Sequence, residues 1–322
     1  NIGNAFFTEG VKYLLSACNQ EVIPTANHSV QALSRSPKII KKNLLNYTSE
    51  ESSLDSIMLA GPMLNENLEN FYGNALRNYK AQGKQIFLVS AGGIKYTRRE
   101  INSVTNFLRE IKPDLLWTRD DETYDLYSEF SRRSIKGICA AYFCRDFYPG
   151  YNTYNTKNNI AITFDGRPEP SSRDISGLIN GRKPQATLVR DKKSLVRRIV
   201  SIGGESSIDG KKVIRPTHRP ASNPWTYALQ RNTFVSYTPW GYLNIYRNAG
   251  HVLTDRLHAA VAAISYGTKV NLFLDSPRSK LLDAIDAKIT SERFVEYDTE
   301  HLNQKKRQLL EELKEFFLDQ NA

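Results

Sequence analysis

The chain has 322 residues, is 40% hydrophobic and has a mean hydropathy of −0.48, values of a globular protein long enough to divide its core between two domains. Lys and Arg number 44 against 34 Asp and Glu, giving a net charge of +10 and a pI of about 9.3, a field that attracts phosphates, carboxylates and anionic headgroups. No stretch approaches the roughly 18 consecutive apolar residues of a membrane span, the basic residues are scattered with no nucleic-acid-binding signature, and Cys18, Cys139 and Cys144 are an odd set with no C-x-x-C pair, so neither a disulfide framework nor a zinc site is expected.

The first residues, NIGNAFFTEGVKYLLSAC, put Phe7, Val11, Leu14 and Leu15 at helical spacing after a Gly-containing turn. SIMLAGP reads as a strand into a turn, NLENFYGNALRNYKAQG as a helix ended by Gly83, and QIFLVS as a strand followed by Ala91-Gly92-Gly93. A helix from about Arg98 to Ile111, a strand at 114–119 and a helix from about Glu122 follow. Apolar strands alternating with amphipathic helices predict a parallel α/β sheet, because parallel strands need crossovers that cover both faces.

Between Tyr142 and Asn159 the chain loses periodicity and gains Tyr, Asn, Gly and Pro, which predicts a linker and a first domain over 1–155. A second alternating series over 156–300 opens with NIAITF and a Gly/Pro/Ser/Arg stretch at 166–185. It continues through a helix near KSLVRRIVSIG, the strands KKVIRPTH and TFVSYTP, and a helix through GYLNIYRNA. Two Rossmann-like α/β domains whose parallel sheets face a central cleft are therefore expected, with ligand at the carboxyl ends of the strands. The last segment, 301–322, puts Leu302, Leu309, Leu313 and Phe316 or Phe317 on one face of a packing helix.

The densest chemistry lies in HVLTDRLHAAVAAISYGTKVNLFL, residues 251–274. Asp255 occupies the place of an N-cap, and Arg256 and His258 fall in the first helical turn. There the backbone N–H groups and the helix dipole favour an anion, the guanidinium can grip it, and the imidazole can move a proton. A capped helix whose Arg pairs with a surface acid fits the same spacing. Three further strand ends carry candidates: Arg119 and Asp120 before a helix; Arg215, His218 and Arg219 in KKVIRPTHRP; and the Gly92-Gly93 turn. Guanidinium groups converging from several strand ends suit a multiply charged anion. Tyr148, Tyr151, Trp225 and Trp240 could stack on a sugar or serve as core. The fingerprints of P-loop hydrolases, serine hydrolases, zinc proteases and dinucleotide enzymes are absent, and no metal is implied.

Together these motifs resemble the polysaccharide pyruvyl transferase family over Asn1 to about Lys280. NIGNAFFTEGVKYLL is similar to the family's opening Gly-Asn-x-Gly-Asp turn and helix. SIMLAGPML is similar to its strand and Gly turn, with Ala60 and Pro62 in place of two glycines. LVSAGGI and WTRDDETYDLY correspond to its next turns. YRNAGHVLTDRLHAAVAAISYGTKV carries the Arg-Leu-His triplet that marks the family, and Arg278 and Lys280 lie where it often has a basic residue.

The resemblance implies a glycosyltransferase-B-like fold. It also implies transfer of a pyruvyl group from phosphoenolpyruvate, a substrate and not a cofactor, to two hydroxyls of a sugar in a cell-surface polysaccharide or its lipid-linked precursor. His258 is then the acid/base, and Arg256 and Arg119 anchor the donor. Arg215 and His218 contribute, together with Asp120, Gly92, Gly93, Asp255 and Lys280. Asn4 replaces the family's usual Asp and, as an amide, cannot accept a proton. His218 or Asp120 could take that duty. A nucleotide-sugar-dependent glycosyltransferase and a non-catalytic glycan- or anion-binding protein are the alternatives. A cytoplasmic location, with peripheral contact at the inner face of an anionic membrane, fits the basic charge, and oligomeric state is not encoded legibly.

Overall fold

The computed structural model describes residues 2–22, 55–150, 157–182, 204–218 and 230–320. The helix expected near KSLVRRIVSIG, and Arg219, Tyr151 and Trp225, lie outside the described residues. The chain divides into two compact units. The first comprises Val11–Ala140, Ser276–Ile285 and His301–Ala322; the second comprises Asn1–Gly10, Ala141–Asp275 and Asp286–Glu300.

Helix α1 (Ile2–Ala17) buries Phe7, Val11, Leu14 and Leu15, as their spacing predicts. It differs from the expectation at its start, because Gly3 and Asn4 are already helical and no Gly turn precedes them within the described residues. A tertiary contact fixes this start, since the Ile2 N–H donates to the His218 carbonyl at 3.2 Å. In the first unit β1 (Ser56–Ala60), α2 (Leu68–Ala81), β2 (Gln85–Ala91), α3 (Arg98–Ile111), β3 (Leu115–Thr118), α4 (Asp121–Tyr127) and β4 (Arg133–Lys136) follow in sequence. The four strands form a parallel sheet in the order β1-β2-β3-β4. The chain turns from α2 into β2 through Gly83, whose φ of +71° is a left-handed conformation that costs glycine nothing. Leu76, Leu88, Val104, Phe107, Leu108 and Leu116 build the core between sheet and helices.

The predicted linker is not a linker where it is described. Tyr142, Phe143 and Cys144 are buried, α5 (Cys144–Phe147) is helical, and the Tyr266 hydroxyl donates to the carbonyls of Cys144 (3.2 Å) and Tyr148 (2.7 Å). The chain accordingly changes unit at Ala140/Ala141 and not near 155. Aromatic residues beside Gly and Pro read as a loop, yet here they fill a core.

The second unit continues with β5 (Asn159–Thr163), α6 (Ser172–Ile179), β6 (Ser207–Ile208), β7 (Lys211–Pro216), β8 (Thr233–Phe234), α7 (Pro239–Asn248), β9 (Ala249–Thr254), α8 (Leu257–Ser265) and β10 (Lys269–Leu272). Its sheet runs β10-β9-β5-β7-β6, with β8 beside β7, and all pairings are parallel except β6 with β7. The expected strand TFVSYTP shrinks to the two residues of β8, leaving Val235 and Tyr237 exposed. Helix α6 arises within the stretch read as Gly/Pro/Ser/Arg loop, because the Ser171 side chain caps it by accepting the Asp174 N–H.

A 3-10 segment (Pro277–Ile285) belongs to the first unit, and a hairpin of β11 (Lys288–Ile289) and β12 (Val295–Glu296) to the second. Helix α9 (Thr299–Asp319) buries Leu302, Leu309, Leu313, Phe316 and Phe317. Both phenylalanine rings meet Phe87 of β2 edge-on, at 5.6 and 5.7 Å.

Candidate functional site

In the second unit the chain goes from β5 to β7 on one side and later returns to place β9 on the other, so strand order reverses between β5 and β9. Ligands of open α/β sheets bind outside the carboxyl ends at such a point. Thr163, Thr254, Asp255 and Arg256 stand there, with His258 one residue into α8. The Thr254 hydroxyl donates to the Thr163 carbonyl (3.0 Å) and accepts the Arg256 N–H (2.9 Å), tying the two strand ends together.

Asp255 is not the N-cap; that position belongs to Arg256, which makes no side-chain cap. The Asp255 carboxylate turns instead to the loop after β5, where it accepts the N–H groups of Asp165 (3.1 Å), Gly166 (2.6 Å) and Arg167 (2.9 Å). Three backbone donors outweigh the one or two a helix start offers. Burial pushes the Asp255 carboxyl up, and the N–H bonds from Asp165 and Gly166 counter that only in part. Arg256 holds Nε 3.4 Å from Oδ2 of Asp165 in an ion pair and makes no side-chain hydrogen bond among the described residues. His258 is buried, 5% exposed, with its ring 5.2 Å from that of Phe7.

His218, at the end of β7, is buried, and its Nε2 lies 2.5 Å from the Tyr246 hydroxyl, which is itself 3.4 Å from Oγ1 of Thr163. Phe6 and Tyr242 meet the His218 ring edge-on. Burial drives the Tyr246 hydroxyl well above its ordinary range, so it stays protonated. Asn4 is buried in the first turn of α1. Arg215, expected at the ligand, is committed elsewhere. Nε and Nη2 form a fork on Glu169 (2.8 and 2.7 Å), and Nη1 donates to the carbonyls of Glu205 and Arg231 (both 3.0 Å). Four of its five donors are thereby used inside the fold.

In the first unit the end of β2 meets the end of β3. Arg119 is fully buried; Nη2 donates to the Gly93 carbonyl (3.3 Å), Nε lies 3.6 Å from Oδ2 of Asp120, and Nη1 has no hydrogen-bond partner among the described residues. Gly92 makes room for it, since a Cβ there would sit 2.2 Å from Nε of Arg119. Asp120 is the N-cap of α4, accepting the Thr123 N–H (2.8 Å) and hydroxyl (2.6 Å) and the Tyr96 hydroxyl (3.0 Å). With these three donors on it, the Asp120 carboxylate caps α4. Burial, then the Asp120 charge, pushes the Tyr96 hydroxyl up to about 12. Lys280 pairs with Glu122, its ammonium 5.7 Å from the centre of the Tyr96 ring.

Thus Arg256, Asp255 and His258 share one strand-end cluster, and Gly92, Gly93, Arg119, Asp120 and Lys280 another. The sequence reading missed Tyr96, Glu100, Asp165 and Tyr246. Glu100 was discoverable, because Thr97-x-x-Glu100 is a capping-box pattern, and the Thr97 side chain does accept the Glu100 N–H.

Residues 1–275 match the family model for polysaccharide pyruvyl transferase. The chain belongs to that family. The Arg256-Leu257-His258 triplet, the Arg119-Asp120 turn and the Gly92-Gly93 turn all fall inside the matched span. No curated protein matches. Among solved structures, this pyruvyl transferase family member is similar to MnaA of S. aureus in complex with UDP, at 14% identity over 98% of this chain and 88% of that one, with a TM-score of 0.53. It is also similar to the UDP-GlcNAc 2-epimerase of Neisseria meningitidis bound to UDP-GlcNAc (16%, 96% and 82%, TM-score 0.43) and to that of Rickettsia bellii (12%, 91% and 72%, TM-score 0.46). At such identities the likeness is one of fold, which is glycosyltransferase-B-like. No helix among the described residues is long and apolar enough to cross a membrane.

Proposed function

We propose that the chain transfers a pyruvyl group from phosphoenolpyruvate to two hydroxyls of a polysaccharide or its lipid-linked precursor, closing a cyclic ketal. The observation that carries this reading is that, within a family match over residues 1–275, the Arg-Leu-His triplet sits at the amino end of α8, beside the strand-order reversal of its sheet. Arg256, paired through Nε with Asp165 but with no side-chain hydrogen bond among the described residues, takes donor charge, and Arg119 is the anion-receiving guanidinium of the first unit. His258 gives a proton to the methylene carbon of phosphoenolpyruvate, which makes the adjacent carbon an oxocarbenium-like electrophile. A sugar hydroxyl attacks that carbon and returns its proton to the neutral imidazole. A second hydroxyl then displaces the phosphate, which leaves with the last proton as positive side chains carry its charge. One imidazole acting first as acid and then as base agrees with an amide at position 4 and with an Asp120 committed to its cap.

The test begins with thermal shift of the full chain against phosphoenolpyruvate, UDP and UDP-sugars, followed by phosphate release and product mass with a panel of glycosides. Stabilisation by phosphoenolpyruvate, and a product heavier by one pyruvyl ketal, are expected. His258→Ala should abolish turnover and retain donor binding. Stabilisation by UDP with none by phosphoenolpyruvate would replace this reading with nucleotide-sugar transfer, and binding without turnover of any donor would make the chain a binding protein.

A further inference from the structure

Two buried carboxylates hold the same kind of position, one in each unit. After β5, the successive N–H groups of Asp165, Gly166 and Arg167 converge on Asp255 (3.1, 2.6 and 2.9 Å). After β2, those of Ile94, Lys95 and Tyr96 converge on Oε1 of Glu100 (2.9, 3.0 and 3.1 Å). Consecutive backbone N–H groups aimed at one point are how a phosphate-binding loop holds its phosphate. Here the chain fills both nests itself, with Asp255 7% and Glu100 2% exposed. The first loop is closed tightly over its carboxylate, for a Cβ on Gly166 would lie 3.0 Å from Oδ2 of Asp255.

Each filled loop carries a group that touches a guanidinium. The loop after β5 presents Asp165, whose Oδ2 is 3.4 Å from Nε of Arg256. The loop after β2 presents the Gly93 carbonyl to Nη2 of Arg119 at 3.3 Å, and the Tyr96 hydroxyl to Asp120, the neighbour of Arg119. An unfilled nest would bind phosphate through amides that accept any small anion. Planar guanidinium forks suit a ligand that carries both a phosphate and a carboxylate.

We propose that Asp255 and Glu100 are positioning residues: each, by filling the backbone nest of its own unit, excludes an anion from that loop and sets the guanidinium beside it, Arg256 in the second unit and Arg119 in the first, as the group of that unit that receives one. This rests on the proposed pyruvyl transfer for the identity of the ligand. Inorganic phosphate and phosphoenolpyruvate are titrated calorimetrically into the full chain, well below its melting temperature, as wild type, Asp255→Asn, Glu100→Gln and the control Glu110→Gln, whose carboxylate pairs with Arg77 at the surface. Each amide in a nest is expected to weaken phosphoenolpyruvate binding about ten-fold or more with an unchanged near-UV spectrum, and Asp255→Glu and Glu100→Asp to restore part of it. Affinity matching the control, with melting temperature alone reduced, overturns the inference. Should one amide variant fail to fold, the other, in a different unit, decides. Phosphate binding that is lost in the amide variants, in a protein that ignores phosphoenolpyruvate, keeps the positioning role and removes the donor. A wild type that binds neither ligand overturns both.

Discussion

Arg215 separates a ligand contact from a structural staple by experiment. Its side chain is 3% exposed and its partner Glu169 10%, and the fork between them is reinforced by Gln230, which donates to the same carboxylate at 2.8 Å. Arg215→Ala strands that carboxylate and leaves the Glu205 and Arg231 carbonyls without their donor. Removing one member of a buried ion pair costs about 3–5 kcal/mol. For a cooperative unit of about 150–250 residues, the size class of the second unit that holds Arg215, each kcal/mol moves the melting temperature by about 2–4 °C, so a fall of roughly 6–20 °C is expected in that unit's transition. Replacing both members with apolar residues of similar size, Arg215→Met with Glu169→Leu, should recover most of the loss, because no charge is then left unpaired. Calorimetric melts measure the first quantity, and phosphoenolpyruvate titration at low temperature measures the second, which should stay at the wild-type value. A variant that melts within about 1 °C of wild type yet loses donor affinity, a loss well under 1 kcal/mol, would refute the staple and return Arg215 to the ligand.

Gly92→Ala should destabilise by about 1–3 kcal/mol and weaken anion binding together, since its new methyl group occupies the space of the Arg119 guanidinium; unchanged melting and affinity would show that Arg119 has room to move. Lys280→Met breaks a partly exposed pair with Glu122 and should cost no more than about 1 kcal/mol, read as a small melting shift; a loss of donor affinity would instead make Lys280 a ligand contact. His251 is buried beside Asn271, and burial first, then the charges of Lys269 and Lys211, holds its folded pKa below the ordinary value. The stability it contributes is therefore present above about pH 6.5 and lost as pH falls through the lower folded pKa. Melting temperature should decline on acidification, less steeply in His251→Gln, and an identical slope in the variant would exclude His251 as the cause.

The first sheet was legible because its strands are apolar runs and its helices carry a 3.6-residue stripe: β2, α3 and β3 lie within a residue or so of their expected places. The Arg-Leu-His segment was legible for a similar reason, as its apolar strand, its small-residue helix and Gly267 fix the turn between them. The α/β class, the family, the positions of Arg119 and Arg256 just after strand ends and that of His258 in the first turn of a helix were thus set by local pattern. What those side chains do was not. Asp255 and Asp120 are both acids directly before a helix, yet Asp120 caps its own helix, while Asp255 leaves its helix for N–H groups some ninety positions earlier in the chain. Arg215 reads like Arg119 in the sequence, but its donors meet Glu169 and two carbonyls, whereas Nη1 of Arg119 meets no acceptor among the described residues. Periodicity travels with neighbours along the chain and is written locally. The allotment of a buried charge depends on which distant donors and acceptors the packed sheet brings within 3 Å or so, and that is decided when the fold closes.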